Sequence, residues 1–262
     1  MLTNVCQRWN SKRASYRPAG EVINPRALEV AEIPHHKIAK EFVEAHHYSG
    51  SFPAARACFG LYESASATLV GALVFSVPCT KKVLSNVFGR EAKDCVELGR
   101  LVLLDRVPAN AETFFLSRAF KQVKGRFKGV VSFSDPMPRK TQEGLEVFKG
   151  HIGTIYQAHN ATFLGRSTAR SLKILPGGEV LSDRSLQKIR KLERGWKYSA
   201  GLLENYGAEP LEKSFLSARD WLKRWLPFLT TTVRHPGNYR YAWSLERGLK
   251  LPEGFSYPKV RL

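Results

Sequence analysis

No glycine-rich phosphate loop is present in this sequence: Gly-x-Gly-x-x-Gly and Gly-x-x-x-x-Gly-Lys-Ser/Thr are both missing. Their absence argues against kinase, nucleotide-triphosphatase and dinucleotide-binding functions, which use such loops to cradle phosphates. Long apolar runs are missing too. None reaches the ~20 residues that cross a bilayer. The start, Gln7-Arg8-Trp9-Asn10-Ser11-Lys12-Arg13, is polar and basic, unlike a secretion signal. A cytoplasmic protein that does not use a membrane is expected. Cysteine is sparse: Cys6, Cys58, Cys79 and Cys95 stand at no metal-ligand or redox spacing. Three of them fall in or beside apolar runs, as small buried hydrophobes do, which suits a reducing compartment.

Acidic side chains are few as well: 23 Asp and Glu against 41 Lys and Arg, a net charge of +18. Residues 1–175 hold 25 basic and 14 acidic side chains, and residues 176–262 hold 16 and 9. The excess is therefore spread over the chain and is not a basic tail. Such a field draws polyanions and speeds their encounter, so a nucleic acid partner is expected. With 262 residues, 43% hydrophobic and 24% charged, the chain can build a core that needs no disulfide or structural metal.

The periodicities give an α/β reading. Residues 1–28 are polar, basic and poorly periodic and read as an N-terminal arm that orders on a partner, or as a loosely packed cover. Pro34 to His46 has a helical period and ends in the loop His46-His47-Tyr48-Ser49-Gly50-Ser51. Ala57–Tyr62 and Leu69–Val77 read as a hairpin. From Glu97 to Gly165 strands alternate with helices, which implies crossovers within a mixed sheet. After Ser182 the texture turns helical, with segments at Leu186–Leu192, Trp196–Tyr206 and Ala218–Leu226. The organisation expected is an arm at 1–28, a catalytic domain at 29–181 and a basic helical extension at 182–262.

Several polar residues sit where chemistry is done. Arg100 lies inside an apolar strand, where an arginine needs a partner. It is either salt-bridged to Glu97 or Asp135, or an anchor for an anion or carbonyl. Asp135 ends a strand before Pro136, as a turn initiator or as a side chain facing a crevice. Asn110 can cap the following helix, whose free N–H groups are a natural anion seat, and Thr113 lies on its first turn. Lys188, Arg190, Lys191, Arg194 and Lys197 cluster beside Trp196 and Tyr198. Cations bind phosphates and aromatic faces stack on bases, so this cluster reads as a DNA-binding surface.

The succession of elements resembles the GNAT acyltransferase fold, with a mixed, largely antiparallel central sheet flanked by helices. Linked strings resemble the phage Mom proteins, DNA adenine-modification proteins of that superfamily. They are His47-Tyr48-Ser49-Gly50, Glu97-Leu98-Gly99-Arg100-Leu101, Asn110-Ala111-Glu112-Thr113-Phe114-Phe115-Leu116, Ser132-Phe133-Ser134-Asp135-Pro136 and His151-Ile152-Gly153-Thr154-Ile155-Tyr156-Gln157. The basic stretches Ser185–Arg190 and Arg194–Tyr198 belong to the same set, and the likeness covers roughly residues 35–207. It implies conversion of adenine in phage DNA to its N6-carbamoylmethyl form, in the host cytoplasm, as protection from restriction. The implied partner is double-stranded DNA with the target base flipped out, and the implied assembly a homodimer.

By the same resemblance His47, Tyr48, Arg100, Asp135 and Tyr156 form the active site. Leu101, Val102, Asn110 and Thr113 lie on the cofactor side, facing an acyl-CoA-type donor, and His47 with Asp135 holds iron. The chain departs from ordinary GNAT enzymes in lacking a Gln/Arg-x-x-Gly-x-Gly/Ala loop; the Asp105–Glu112 connection stands in its place. Transfer from an acyl-CoA leaves an amide, whereas carbamoylmethylation leaves an alkyl carbon–nitrogen bond, so acetyl transfer is not the whole reaction. Two other readings compete: a GNAT acyltransferase acting on a tRNA, protein or polyamine amine, and a non-catalytic DNA-binding protein. The enzyme reading requires His47, Arg100, Asp135 and Tyr156 to converge.

Overall fold

The computed structural model describes residues 5–259. The chain divides into two compact units. The first runs up to Pro136 and includes His151–Ser167 and the stretch from Asn238 on; the second consists of Met137–Gly150 and Thr168–Gly237.

The first unit opens with a hairpin of β1 (Val5–Asn10) and β2 (Arg13–Pro18), turned by Ser11 and Lys12 at positive φ. Next come β3 (Leu28–Glu32), α1 (His36–His46), β4 (Ala55–Glu63), β5 (Thr68–Ser76), α2 (Lys81–Phe88), β6 (Cys95–Leu103), α3 (Ala111–Val123) and β7 (Gly129–Ser134). The chain then forms β8 (Arg139–Lys140) and β9 (Glu146–Phe148) in the second unit. It returns to the first for α4 (Thr154–Ala158) and β10 (Thr162–Arg166). The second unit resumes with β11 (Arg170–Ile174), β12 (Val180–Leu181), α5 (Asp183–Lys191), α6 (Trp196–Glu204), α7 (Ala218–Leu229) and β13 (Thr231–His235). A final strand, β14 (Tyr239–Ser244), belongs to the first.

Seven strands of the first unit form one sheet in the order β10-β14-β7-β6-β5-β4-β3. Every neighbouring pair is antiparallel except β6–β7. A parallel pair needs a crossover, and α3 supplies it. The fold class read from the sequence is therefore the one observed, a mixed, largely antiparallel central sheet flanked by helices. Phe115, Leu116, Ala119, Phe120 and Val123 recur at helical spacing and bury α3 against Phe59, Phe75 and Val96. On the opposite face α1 packs Ala39 and Val43 on Cys58, Val74 and Val102, and α2 packs Leu84, Val87 and Phe88 on Cys95 and Val131.

The second unit has a three-stranded sheet, β12-β11-β13, and the short β8–β9 pair. Its helices enclose Trp221 with Leu186, Ile189 and Leu203. Ser182 caps α5 by accepting the Ser185 N–H at 3.0 Å.

The structure differs from the expected organisation in two places. The stretch taken for a loose arm carries the β1–β2 hairpin, in which Arg8 and Trp9 are buried; residues 1–4 of that stretch lie outside the described residues. The expected boundary at 181/182 falls inside the second unit. There β12 pairs with β11, and Leu181 packs with Leu186 and Ile189. Among the described residues no helix is long and apolar enough to cross a membrane.

Candidate active site

The strands β6 and β7 pair only from Cys95 opposite Gly129 to Leu98 opposite Ser132. Beyond that point they part. β6 stays with β5 as far as Leu103, while β7 stays with β14 as far as Ser134.

Gly99 decides which side chains face which way. Phe75 pairs with Leu98 and Val74 with Arg100, so Gly99 is the extra residue of a bulge. One extra residue reverses the alternation of side chains along a strand. Leu98, Leu101 and Leu103 consequently pack on the α3 side, whereas Val102 packs under α1. Arg100 shares the face of Val102, and the reversal puts it on the same face as Glu97. A Cβ at position 99 would stand 2.4 Å from Ser76 Oγ, which accounts for glycine there.

Arg100 is held in place. Its Nε donates to Ser51 O at 3.0 Å, its Nη2 to Ser51 Oγ at 2.9 Å and its Nη1 to Gly99 O at 2.6 Å. Burial pulls its pKa below the usual arginine value, while Tyr48 and Glu97 push it back up. Glu97 is perturbed the other way. Burial raises its carboxyl to about 7, against the pull of Arg100, so the group exchanges a proton near neutral pH.

His47 and Tyr48 follow directly from the end of α1. His47 is buried, and its pKa lies well below the ordinary value because of desolvation and the charges of Arg100 and His151. Its Nδ1 accepts the Ser49 N–H at 3.1 Å, which leaves the proton of the neutral ring on Nε2. The Tyr48 ring lies 4.2 Å from that of His47, 6.0 Å from His151 and 4.5 Å from Trp9 of the hairpin. Tyr156, on α4, is buried against Tyr241 and Trp243. Burial raises its pKa, its hydroxyl is hydrogen-bonded to Ser132, and it interacts electrostatically with Glu97 and Arg100. Tyr156 belongs to the core on the α3 side, whereas Glu97 and Arg100 leave β6 on the other. The two faces reach each other where β6 and β7 have parted.

Four residues singled out from the sequence, His47, Tyr48, Arg100 and Tyr156, thus fall in one neighbourhood. Asp135 follows β7, and its carbonyl accepts the His151 N–H at 2.8 Å, which ties it to the same region. Glu97, Ser132, His151 and Trp9 join the group without having been chosen as site residues.

The residues expected on the cofactor side are more scattered. Leu101 packs against the main core and Val102 is buried under α1. Asn110 adopts positive φ and does not cap α3 with its side chain; its amide donates instead to Glu21 O at 3.0 Å. The Thr113 hydroxyl donates to Asn110 O at 3.0 Å. The four residues are thus engaged in the core or in local hydrogen bonds of the turn before α3. Iron on His47 and Asp135 does not fit. A histidine that binds a metal donates from its other nitrogen, whereas His47 accepts there. Among the described residues no group of three or more His, Cys, Asp or Glu is placed to hold a metal ion.

In the second unit the basic cluster lies on α5 and α6. Arg190, Lys191 and Arg194 are exposed, and none of the three is paired with an acid among the described residues. Lys188 is half-buried and Lys197 is paired with Glu212. Trp196 is half-buried against the helical core, with Lys197 over its ring. Lys188, Arg190 and Lys191 also end α5, where cations suit the helix dipole. A shallow recess beside them is lined by Arg190, Arg219 and Lys223 over Leu222 and Leu226.

An α/β protein with a mixed, largely antiparallel sheet and a buried Glu–Arg–Tyr–His group at a parted strand pair is the class that fold and site define. The sequence matches the Mom protein family over residues 27–215. The chain belongs to that family. No curated protein matches it. Among solved structures it is similar to a GNAT-family acetyltransferase from Listeria monocytogenes 4b F2365, with 10% identity over 42% of this chain and a TM-score of 0.28. This chain covers 58% of that enzyme's length. A second similar structure is a tandem GNAT protein from the clavulanic acid biosynthesis pathway. It shows 8% identity, covers 84% of this chain and 99% of its own, and has a TM-score of 0.43.

Proposed function

We propose that this protein is a transferase that modifies adenine in double-stranded DNA at the exocyclic amine, giving the N6-carbamoylmethyl base. The observation that carries the reading is the gathering of Tyr48, Glu97, Arg100, His151 and Tyr156 around the parting of β6 and β7. Membership of the Mom family and the net charge of +18 support the choice of DNA.

The amine is a weak nucleophile because its lone pair is delocalised into the ring. In a duplex it is also stacked and paired, so the base must be flipped out at a cost of a few kcal/mol. The rings of Tyr48 and Trp9 offer a stacking surface for it. As the new carbon–nitrogen bond forms, the amine must lose a proton, and Glu97, titrating near neutrality, takes it. The bond between the transferred carbon and its donor breaks as the new bond forms, and Arg100, fixed by Ser51, steadies the negative charge that the donor's leaving group carries away. Asp135 positions this region through its backbone bond to His151. Arg190, Lys191 and Arg194 bind the phosphate backbone.

The test is expression in a bacterium, digestion of plasmid DNA to nucleosides and mass spectrometry. A deoxyadenosine about 57 Da heavier, reached by flipping, should be present with the wild type and absent with Glu97→Gln. Unmodified DNA from abundant, folded protein would refute the reading and move the acceptor to tRNA or protein amines, or leave only DNA binding.

A further inference from the structure

An anion seat at the start of a helix needs backbone N–H groups that converge on open space. The turn between β6 and α3 has the reverse polarity. Arg8, buried in the β1–β2 hairpin, donates to the carbonyls of Leu104 (3.1 Å), Val107 and Pro108 (2.8 Å). Its Nε pairs with Glu112 at 2.6 Å, and Glu112 is itself buried on the first turn of α3. Three carbonyl oxygens thus point inward at a cation. Pro108 has no N–H to offer, and the Ala109 N–H is taken by the Glu21 carboxylate at 2.7 Å. Arg17 pairs with that carboxylate, which together with the Ala109 bond holds it well below the usual range, at about 2. Ser15 and Arg17 tie β2 to Asp105 by further bonds of 2.6 and 2.5 Å.

We propose that the N-terminal hairpin and the segment following it close the β6–α3 turn to any diphosphate-bearing donor, Arg8 filling the loop and Glu21 standing in for the anion at its free amide. A diphosphate arriving there would meet two carboxylates, Glu21 and Glu112, and a loop that presents acceptors. The donor of the transferred group is therefore held without a diphosphate contact at α3. This inference concerns the turn alone and holds whichever acceptor the protein modifies.

The test is an amide-resolved NMR titration of the full-length protein with coenzyme A and, separately, inorganic pyrophosphate. The amides of Ala109, Glu112 and Thr113 should stay unmoved in the wild type, whatever happens elsewhere in the chain. Saturable shifts of these amides by either probe would overturn the proposal. Glu21→Ala removes the stand-in anion without touching buried Arg8, and pyrophosphate should then move the Ala109 amide. Equal responses in variant and wild type, or none in the variant, would refute the role given to the hairpin segment.

Discussion

Glu97 shows how far a single side chain can be displaced from its ordinary chemistry. Its carboxyl titrates at about 7 in the folded protein and at about 4.5 in an unfolded chain. The folded state therefore holds the proton more tightly, and raising the pH through that window favours unfolding. Glu97→Gln should match the wild type near pH 4.5 and exceed it at pH 8 by about 3 kcal/mol, read by denaturant melts at both pH values. Activity should follow the opposite sense, because the proton acceptor is the ionised form. The acid limb of the rate profile should sit near pH 7 in the wild type; if Glu97→Gln remains active with the same limb, Glu97 is not the base. This residue was hard to choose from the sequence. Glu97 and Arg100 stand three apart in a strand, which at period two puts them on opposite faces. Only Gly99 between them hints at the bulge that brings them together. His47, Tyr48 and Tyr156 were chosen through the resemblance of their strings to the Mom proteins, because a loop histidine or a helix-start tyrosine has no periodic pattern that would single it out.

At the scale of elements, the bulge itself can be tested. Gly99→Ala drives a methyl into Ser76 Oγ and should cost about 1–3 kcal/mol by overpacking. Ser76→Ala removes that oxygen, and its remaining Cβ lies at an ordinary 3.4 Å from the new methyl. The double variant should recover most of the loss in thermal melts; strictly additive losses would show that the contact is not the cause. The helices α3, α5 and α7 were readable from spacing. The β1–β2 hairpin was not, because its order comes from distant partners: Arg8 from carbonyls about a hundred residues away, and Trp9 from Tyr48. Local pattern carries no trace of such contacts. The strands β13 and β14 were hidden for a similar reason, lying in a stretch dense in proline, glycine and aromatics whose pairing is wholly long-range.

At the scale of the whole molecule, charge governs encounter with DNA under the proposed function. Replacing Arg190, Lys191 and Arg194 together by alanine should weaken DNA binding and flatten its dependence on salt by about 2–3 in log–log slope, as expected for three lost phosphate contacts. Fluorescence anisotropy across a salt series reads both quantities, and an unchanged slope would take this surface out of the interface. The fold class was legible from the alternation of elements, and the net charge pointed to a polyanion. The interleaving of the two units was not legible, because nothing local marks a chain that leaves a sheet and returns to it.

That return sets an order of events on the ribosome. The strand β14 lies between β7 and β10 in the finished sheet, yet it is made roughly a hundred residues after β7. At about 5–20 residues per second, β7 waits many seconds with one edge unpaired, and β10 has no partner in the sheet at all until β14 emerges. An open edge of this kind invites pairing with other chains. The second unit, complete by Gly237, can fold during the wait. A nascent chain stalled before Tyr239 should therefore be found in aggregates rather than in solution, while full-length chains released from the same ribosomes remain dispersed.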